Sequence, residues 1–181
     1  MAVYQQGEPA AFRMIYYRYR DRVHRYTLRL APRSSDAEEV FQDIWMAVIR
    51  GRHSYDPKLS FSAWLFSIAH RRAADRWRHL GRHAPDLQRC TDADVADSLE
   101  STALVAHETP ERHAQNDALH RALLDAVDAL PPRQREAFLL KAEGDLSLED
   151  IAIAVRAPRE TVKSRLRYAQ QRLRDALESW R

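Results

Sequence analysis

The chain has 181 residues, of which 45% are hydrophobic and 30% charged, and these values are ordinary for a folded, water-soluble protein. Its single cysteine, Cys90, excludes an intrachain disulfide, and no apolar run approaches the length of a membrane span. No charged-then-apolar signal segment opens the chain, so we expect a cytoplasmic protein without membrane insertion.

The spacing of apolar residues predicts an all-α fold. Only four glycines occur, and alternating apolar and polar runs are absent. Steps of three and four predict a first helix over 9–30 and a second over 36–50, and a third helix starts near Phe61. Helical periodicity returns at Leu119. It continues through a helix opened by Pro132 and a capping-box pattern over 147–150 to a long basic helix whose apolar face includes Leu177 and Trp180.

Charge divides the chain into three segments. Residues 1–83 carry 15 Lys and Arg against 8 Asp and Glu, a balance of +7. Residues 84–112 carry 2 against 7, a balance of −5, and residues 113–181 carry 12 against 11, a balance of +1. We therefore predict two small helical domains, 1–83 and 113–181, joined by a flexible acidic linker over 84–112. The basic first segment favours a polyanionic partner.

Acidic side chains gather on the outward face of the second helix. They are Asp36, Glu38, Glu39 and Asp43, together with Gln42. One interpretation is a solvated face, because the helix dipole favours carboxylates near the first turn. This explains Asp36, Glu38 and Glu39 but not Asp43. A catalytic or metal site is disfavoured, because no histidine or cysteine on this helix has matching spacing. The alternative is a docking face for a basic protein partner.

The third helix is basic and carries tryptophans. Its arginines include Arg71, Arg72, Arg76 and Arg78, and Trp64 and Trp77 lie among them. Arginine contacts phosphate and aromatic faces stack on unpaired bases, so the pattern favours single-stranded nucleic acid. For Trp77 a core position and a stacking position both remain open. His79, His83 and Cys90 lack an evident fourth ligand, so we expect no metal and no cofactor.

The last third of the chain has the order of a helix-turn-helix. A helix opening at Ser147 is followed by a turn at Ala157-Pro158 and then by the basic helix. In such a unit the second helix enters the DNA major groove. Two functions fit this pattern: a subunit that works with a larger enzyme, or an autonomous transcriptional regulator. Neither assigns a catalytic residue to this chain.

Three segments resemble a known family. Asp36-Ala-Glu-Glu-Val-Phe-Gln-Asp-Ile-Trp resembles the second region of bacterial RNA polymerase sigma factors. The run from Phe61 to Arg78 resembles their promoter-melting segment, and Leu130 to Leu166 resembles their C-terminal region. The lack of a middle domain is typical of the extracytoplasmic-function (ECF) group. The resemblance implies a promoter-specificity subunit that binds core RNA polymerase and recognises the −10 and −35 elements.

The resemblance also implies roles for particular residues. The acidic face would bind core polymerase through Asp36, Glu38, Glu39, Gln42 and Asp43. The loop before the third helix would capture a flipped −10 base, and that helix would follow the separated strands. These −10 residues are Arg52, His53, Ser54, Tyr55, Lys58, Trp64, Arg71, Arg72, Arg76, Trp77 and Arg78. The −35 residues would be Arg159, Glu160, Thr161, Lys163, Ser164, Arg165 and Arg167.

Two positions depart from the family pattern. The family usually has glycine where this chain has Glu160, and it favours arginine where Tyr168 stands. Both affect which −35 sequence is preferred. The acidic linker either mimics nucleic acid in a polymerase channel or is a plain tether. Members of the group are commonly held by an anti-sigma factor, and nothing in this sequence selects for or against one.

Overall fold

A computed structural model describes residues 2–6, 8–31, 33–58, 60–79 and 110–180. All regular elements within these ranges are helices, which confirms the predicted all-α class. Residues 80–109, which include most of the predicted linker together with His83 and Cys90, lie outside the described residues. None of the described helices is long and apolar enough to cross a membrane.

The described residues of the N-terminal half form four α-helices and a short 3₁₀ turn. They are α1 (Ala2–Gln5), α2 (Pro9–Leu30), α3 (Ser34–Arg50), the 3₁₀ turn Arg52–Ser54 and α4 (Phe61–His79). The carboxylate of Glu8 caps α2 by accepting a hydrogen bond from the Ala10 backbone N–H, and Pro9 occupies the first turn. Helix α3 begins two residues before the predicted start, without a side-chain cap. Helices α2 and α4 both pack on α3, and Tyr26 meets Phe66 edge to face in the core.

Residues 110–180 form four more α-helices. They are α5 (Pro110–Asp128), α6 (Pro132–Ala142), α7 (Leu148–Val155) and α8 (Arg159–Ala176), followed by a 3₁₀ turn, Glu178–Trp180. Helix α5 begins three residues before the predicted domain boundary at 113. The buried guanidinium of Arg135 donates to the backbone carbonyls of Asp128 and Leu130, and so fixes the turn between α5 and α6.

The helix-turn-helix is formed by α7 and α8. The predicted capping box is confirmed, because Ser147 and Asp150 exchange side-chain and backbone hydrogen bonds. Arg156 ends α7 in the left-handed region, at φ 51° and ψ 50°. The prediction that Trp180 continues the apolar face of the last helix is wrong. Helix α8 ends at Ala176, and Trp180 is 40% exposed in the following turn.

The two halves share one continuous hydrophobic core. Helix α4 packs on α7, and the ring of Phe66 lies against the turn after α6. The hydroxyl of Ser62 donates to the Gly144 carbonyl in that turn. Polar contacts add to this interface, including Arg29 Nη1 to Asp128 Oδ2 at 2.6 Å and His70 Nδ1 to Glu136 Oε1 at 3.1 Å.

Candidate nucleic-acid interface and docking face

Helix α3 presents an acidic exposed face. Glu38, Glu39, Gln42 and Asp43 are exposed, because α3 buries Ala37, Val40, Ile44 and Val48 on its opposite side. Met46 is 44% exposed and follows Gln42 and Asp43 by one helical turn. The exposed face therefore combines carboxylates, an amide and one apolar side chain, which suits a partner surface of positive charge. Sequence reasoning missed Met46, although its spacing of three and four from Asp43 and Gln42 placed it on this face.

Asp36 differs from the other members of the acidic set. Its side chain is buried, and its Oδ1 lies 3.4 Å from Nη2 of Arg76 on α4. Arg76 also pairs with Glu39. These contacts tie α3 to α4 and leave Asp36 within the interior. The surface available to a partner on this face is therefore formed by Glu38, Glu39, Gln42, Asp43 and Met46. Glu38 additionally lies 2.8 Å from the imidazole of His24.

The loop between α3 and α4 is held by the N-terminal helix. The side-chain amide of Gln5 donates to the backbone carbonyls of Arg52 at 3.0 Å and Tyr55 at 2.7 Å. The guanidinium of Arg52 lies over the Tyr4 ring, 5.8 Å from its centroid. His53, Ser54 and Lys58 are exposed. Sequence reasoning missed Gln5, because a four-residue helix at the start of a chain carries no periodic signal.

An aromatic cluster supports the same loop. Tyr55 is buried, and its ring lies 5.9 Å from that of Phe61 and 5.4 Å from that of Trp64, at steep angles. Burial, followed by the charge of Asp56 and the nearby Tyr19, raises the pKa of the Tyr55 hydroxyl, which therefore stays neutral. Trp64 is half-buried, so part of its ring remains accessible beside the loop. The cluster packs the loop against α4 and leaves Trp64 partly exposed.

The arginines of α4 fall into two groups. Arg71, Arg72 and Arg78 are exposed, and Arg78 pairs with Asp75. Arg76 is half-buried in its contacts with α3. Trp77 is only 7% exposed and belongs to the core, which favours the packing interpretation for this ring. The exposed cations of α4 and the loop form a surface suited to phosphate contacts. His79 ends α4, and its side chain lies outside the described part of the structure.

The outward side of α8 carries most of the predicted duplex-binding residues. Arg159, Glu160, Lys163 and Arg167 are exposed, and Thr161, Ser164 and Arg165 are half-buried. Val162, Leu166 and Ala169 lie on the buried side, against the helices beneath. The guanidinium of Arg167 stacks on the ring of Tyr168 at 5.0 Å. A helix-turn-helix with a cationic, exposed second helix is suited to the DNA major groove.

Charge pairs order the beginning of α8. Arg159 pairs with Glu149 of α7 and, through Nη1 at 3.3 Å, with Oε1 of Glu160. The hydrogen bond with Arg159 lowers the pKa of the Glu149 carboxyl, and the same bond raises the pKa of the guanidinium. Lys163 Nζ lies 3.9 Å from the other oxygen of Glu160. Glu149 is therefore ionised at neutral pH, and both glutamates have cations beside them.

No group of three or more His, Cys, Asp or Glu side chains in the described ranges is placed to hold a metal ion. The exposed side chains of these surfaces offer charge, hydrogen bonds and aromatic faces for recognition. An arginine-bearing helix beside an aromatic loop and a helix-turn-helix together define a helical DNA-binding protein, and the acidic face of α3 is its candidate docking face.

Comparison with known proteins assigns the family. Residues 15–83 match Sigma-70 region 2, and residues 120–173 match Sigma-70 region 4. The chain is 34% identical over 151 residues to the RNA polymerase sigma factor CarQ of Myxococcus xanthus, covering 83% of this chain and 80% of that one. It is 30% identical over 168 residues to the ECF RNA polymerase sigma-E factor of Escherichia coli K12, covering 92% and 86%. The chain belongs to the RNA polymerase sigma factor family, in its ECF group, and directs promoter-specific transcription initiation.

Solved structures share the fold. The sigma factor RpoE of Bartonella quintana, in complex with the anti-sigma factor NepR, has a TM-score of 0.66 at 24% identity, covering 94% of this chain and 99% of that one. CnrH, in complex with the cytosolic domain of CnrY, has a TM-score of 0.64 at 20% identity, covering 98% and 94%.

Proposed function

We propose that this chain binds core RNA polymerase through the exposed face of α3 and recognises promoters through two DNA-binding surfaces. The loop and the exposed arginines of α4 contact the opened −10 element, and α8 contacts the −35 duplex. The observation that carries the proposal is the separation of charge on one sigma-family chain: the docking face on α3 is acidic, whereas the exposed side chains on α4 and α8 are mainly arginine and lysine.

The proposal assigns each surface to one region of the chain. Residues 1–83 supply polymerase docking and strand capture, residues 113–181 supply duplex recognition, and residues 84–112 connect them. The polymerase performs the chemistry, and this chain contributes binding energy and sequence selection without a catalytic group. The site of action is the cytoplasm, where the polymerase and the chromosome are found.

An anti-sigma factor is a further proposed partner. The solved relatives RpoE and CnrH are each seen with a second protein, and the partner of RpoE is named an anti-sigma factor. A partner that covers the acidic face of α3 would compete directly with polymerase.

Transcription in vitro tests the proposed function. Purified chain is added to cognate core polymerase on fragmented genomic DNA, and the 5′ ends of the transcripts are sequenced. We expect new start sites that share two upstream motifs at a fixed spacing. Transcripts that are identical with and without the chain would contradict the proposal.

A further inference from the structure

We propose that Glu160 determines −35 specificity by accepting a hydrogen bond from the exocyclic amino group of a cytosine in the major groove. The inference rests on the proposed binding of α8 to duplex DNA, and it adds the base that one of its side chains selects. It concerns an acidic side chain on an otherwise cationic surface.

Glu160 occupies a position from which a base edge is within reach. It is the second residue of α8, and its side chain is 75% exposed. In helix-turn-helix proteins the N-terminal residues of the second helix contact base edges. The Glu160 carboxylate contacts two exposed cations, Arg159 and Lys163, so it lies at the surface of the helix.

The surrounding charges allow this carboxylate to approach a polyanion. Arg159 lies at 3.3 Å on one side and Lys163 at 3.9 Å on the other. The positive end of the α8 dipole adds to both. Arg159 also pairs with Glu149, which keeps its guanidinium near Glu160 in the free protein. The local field therefore offsets the repulsion between Glu160 and the DNA backbone.

Cytosine is the base that matches an ionised carboxylate. A carboxylate only accepts hydrogen bonds. Guanine presents two acceptors in the major groove and thymine presents an acceptor and a methyl group, so neither offers a donor. Adenine presents its amino group next to the N7 acceptor, whereas the cytosine amino group has no acceptor on its own base edge in the groove. Glu160 therefore favours cytosine over the other three bases.

Selection from a randomised promoter tests the inference, because it assumes no particular −35 sequence. Holoenzyme assembled from core polymerase and the full chain selects from templates whose −35 region is random, and the bound templates are sequenced. We expect one −35 position at which the wild-type protein prefers cytosine by about tenfold, the size of one good base contact. Glu160→Gly should remove that preference and leave the other positions unchanged. Glu160→Gln should shift it toward adenine, because glutamine bonds to adenine N6 and N7.

A second variant controls for the charge itself. Asp175→Asn removes one negative charge from the exposed far end of the same helix, about 22 Å away, and should leave every base preference unchanged. The inference is overturned if Glu160→Gly raises the affinity of the holoenzyme for all templates equally. In that case the cytosine preference is either still present in the variant or absent from the wild-type protein. If the wild-type and Glu160→Gly holoenzymes select the same −35 sequence, only this role of Glu160 is refuted. If the wild-type holoenzyme selects no −35 sequence, the proposed function of α8 is refuted.

Discussion

Arg25 on α2 and Glu143 directly after α6 form a two-pronged ion pair, with Arg25 Nη2 2.9 Å from Oε2 and Arg25 Nε 3.1 Å from Oε1. The pair joins residues 118 positions apart in the chain, one from each half. The Glu143 side chain is 16% exposed, so the pair is screened by solvent less than a surface pair would be. It is one of the polar contacts that join the two halves beside their shared hydrophobic core.

We expect a measurable coupling between Arg25 and Glu143. Urea unfolding of Arg25→Ala, Glu143→Ala and the double variant should give a coupling free energy of about 1 kcal/mol, because the pair is bidentate and partly buried. The exposed pair Arg20 and Asp21, whose Nε and Oδ1 lie 3.2 Å apart, is the control. Its coupling should be close to zero. Equal coupling in both pairs would contradict the structural importance of the contact between the halves.

The pH dependence of stability should depend on Glu136. Burial raises the pKa of its carboxyl, but the hydrogen bond and charge of His70, with the charges of Arg133 and Arg165, outweigh burial, so the net pKa lies below the ordinary 4.5. A lowered folded pKa contributes stability above the unfolded pKa, and this stability is lost as the pH falls through the folded pKa. Glu136→Gln should therefore weaken the decline in unfolding free energy below pH 4.5.

Asp128 provides a control with the opposite sign. Burial raises the pKa of its carboxyl more than Arg29 and Arg135 lower it. A raised carboxyl pKa contributes stability below the unfolded pKa, and this stability is lost as the pH rises through the folded pKa. Asp128→Asn should thus steepen the net gain in stability with rising pH. If Asp128→Asn and Glu136→Gln give the same pH profile of unfolding free energy, these two carboxyls do not determine the pH dependence of stability.

Gly144 should tolerate no larger residue. A Cβ at this position would lie 2.5 Å from the Leu140 carbonyl oxygen and 3.2 Å from the Phe66 ring. Because the Leu140 carbonyl belongs to α6, relief requires the backbone of this turn to shift, and the Phe66 ring of α4 limits that shift. Gly144→Ala should lower the free energy of unfolding by about 1–3 kcal/mol. At Gly51 a Cβ meets the Ala47 carbonyl oxygen at 2.9 Å and its next neighbours only at 3.6 Å. Thermal melts in which Gly51→Ala costs more than Gly144→Ala would contradict this account.

The docking face on α3 should be sensitive to charge reversal at Asp43. Asp43 is exposed, whereas Glu39 pairs with Arg76 and its replacement would also perturb α4. Asp43→Arg should weaken binding to core polymerase at least tenfold, because an arginine at this position would repel a partner surface of positive charge. Asp117→Arg, an equal charge change at an exposed position on α5, is the control. Equal affinities of the two variants in fluorescence titration with core polymerase would refute docking through this face.

Gln5 should control the order of the proposed −10 loop. Its amide is bonded to the carbonyls of Arg52 and Tyr55, so Gln5→Ala removes two contacts that fix the backbone of the loop. We expect faster amide hydrogen exchange over residues 52–58 and slower promoter opening by the holoenzyme, with polymerase affinity unchanged. Gln6→Ala, an exposed neighbour of the same type, should behave as wild type. Exchange rates that are unaffected by Gln5→Ala would exclude the positioning role.

Local patterns predicted the elements well where they were strong. The three-and-four spacing along α2 and the reciprocal caps of Ser147 and Asp150 depend only on neighbouring residues, and both are confirmed. The prediction for Trp180 was wrong because apolar spacing near a helix end does not state where the hydrogen-bonded helix stops. Apolar spacing likewise did not predict where α5 starts or that α1 exists.

The candidate site was predicted as sets of residues, and the tertiary structure sorted those sets. Asp36 and Glu39 are three residues apart, yet one is buried against Arg76 and the other is exposed. Trp77 could be assigned either to packing or to stacking, and its burial favours packing. Whether a side chain at the border of an apolar face is buried or exposed depends on its neighbours in space, and these belong to another helix.

The sequence by itself determined the helical class, the order of the elements and the family, because these depend on periodicity, capping and motif spacing along one chain. Only the tertiary structure decided which side chains are available to a partner and that the two halves share one core. Contacts such as Arg25 to Glu143 and Gln5 to Tyr55 join residues far apart in sequence. Their partners are fixed by how whole helices pack, and local composition does not encode that packing.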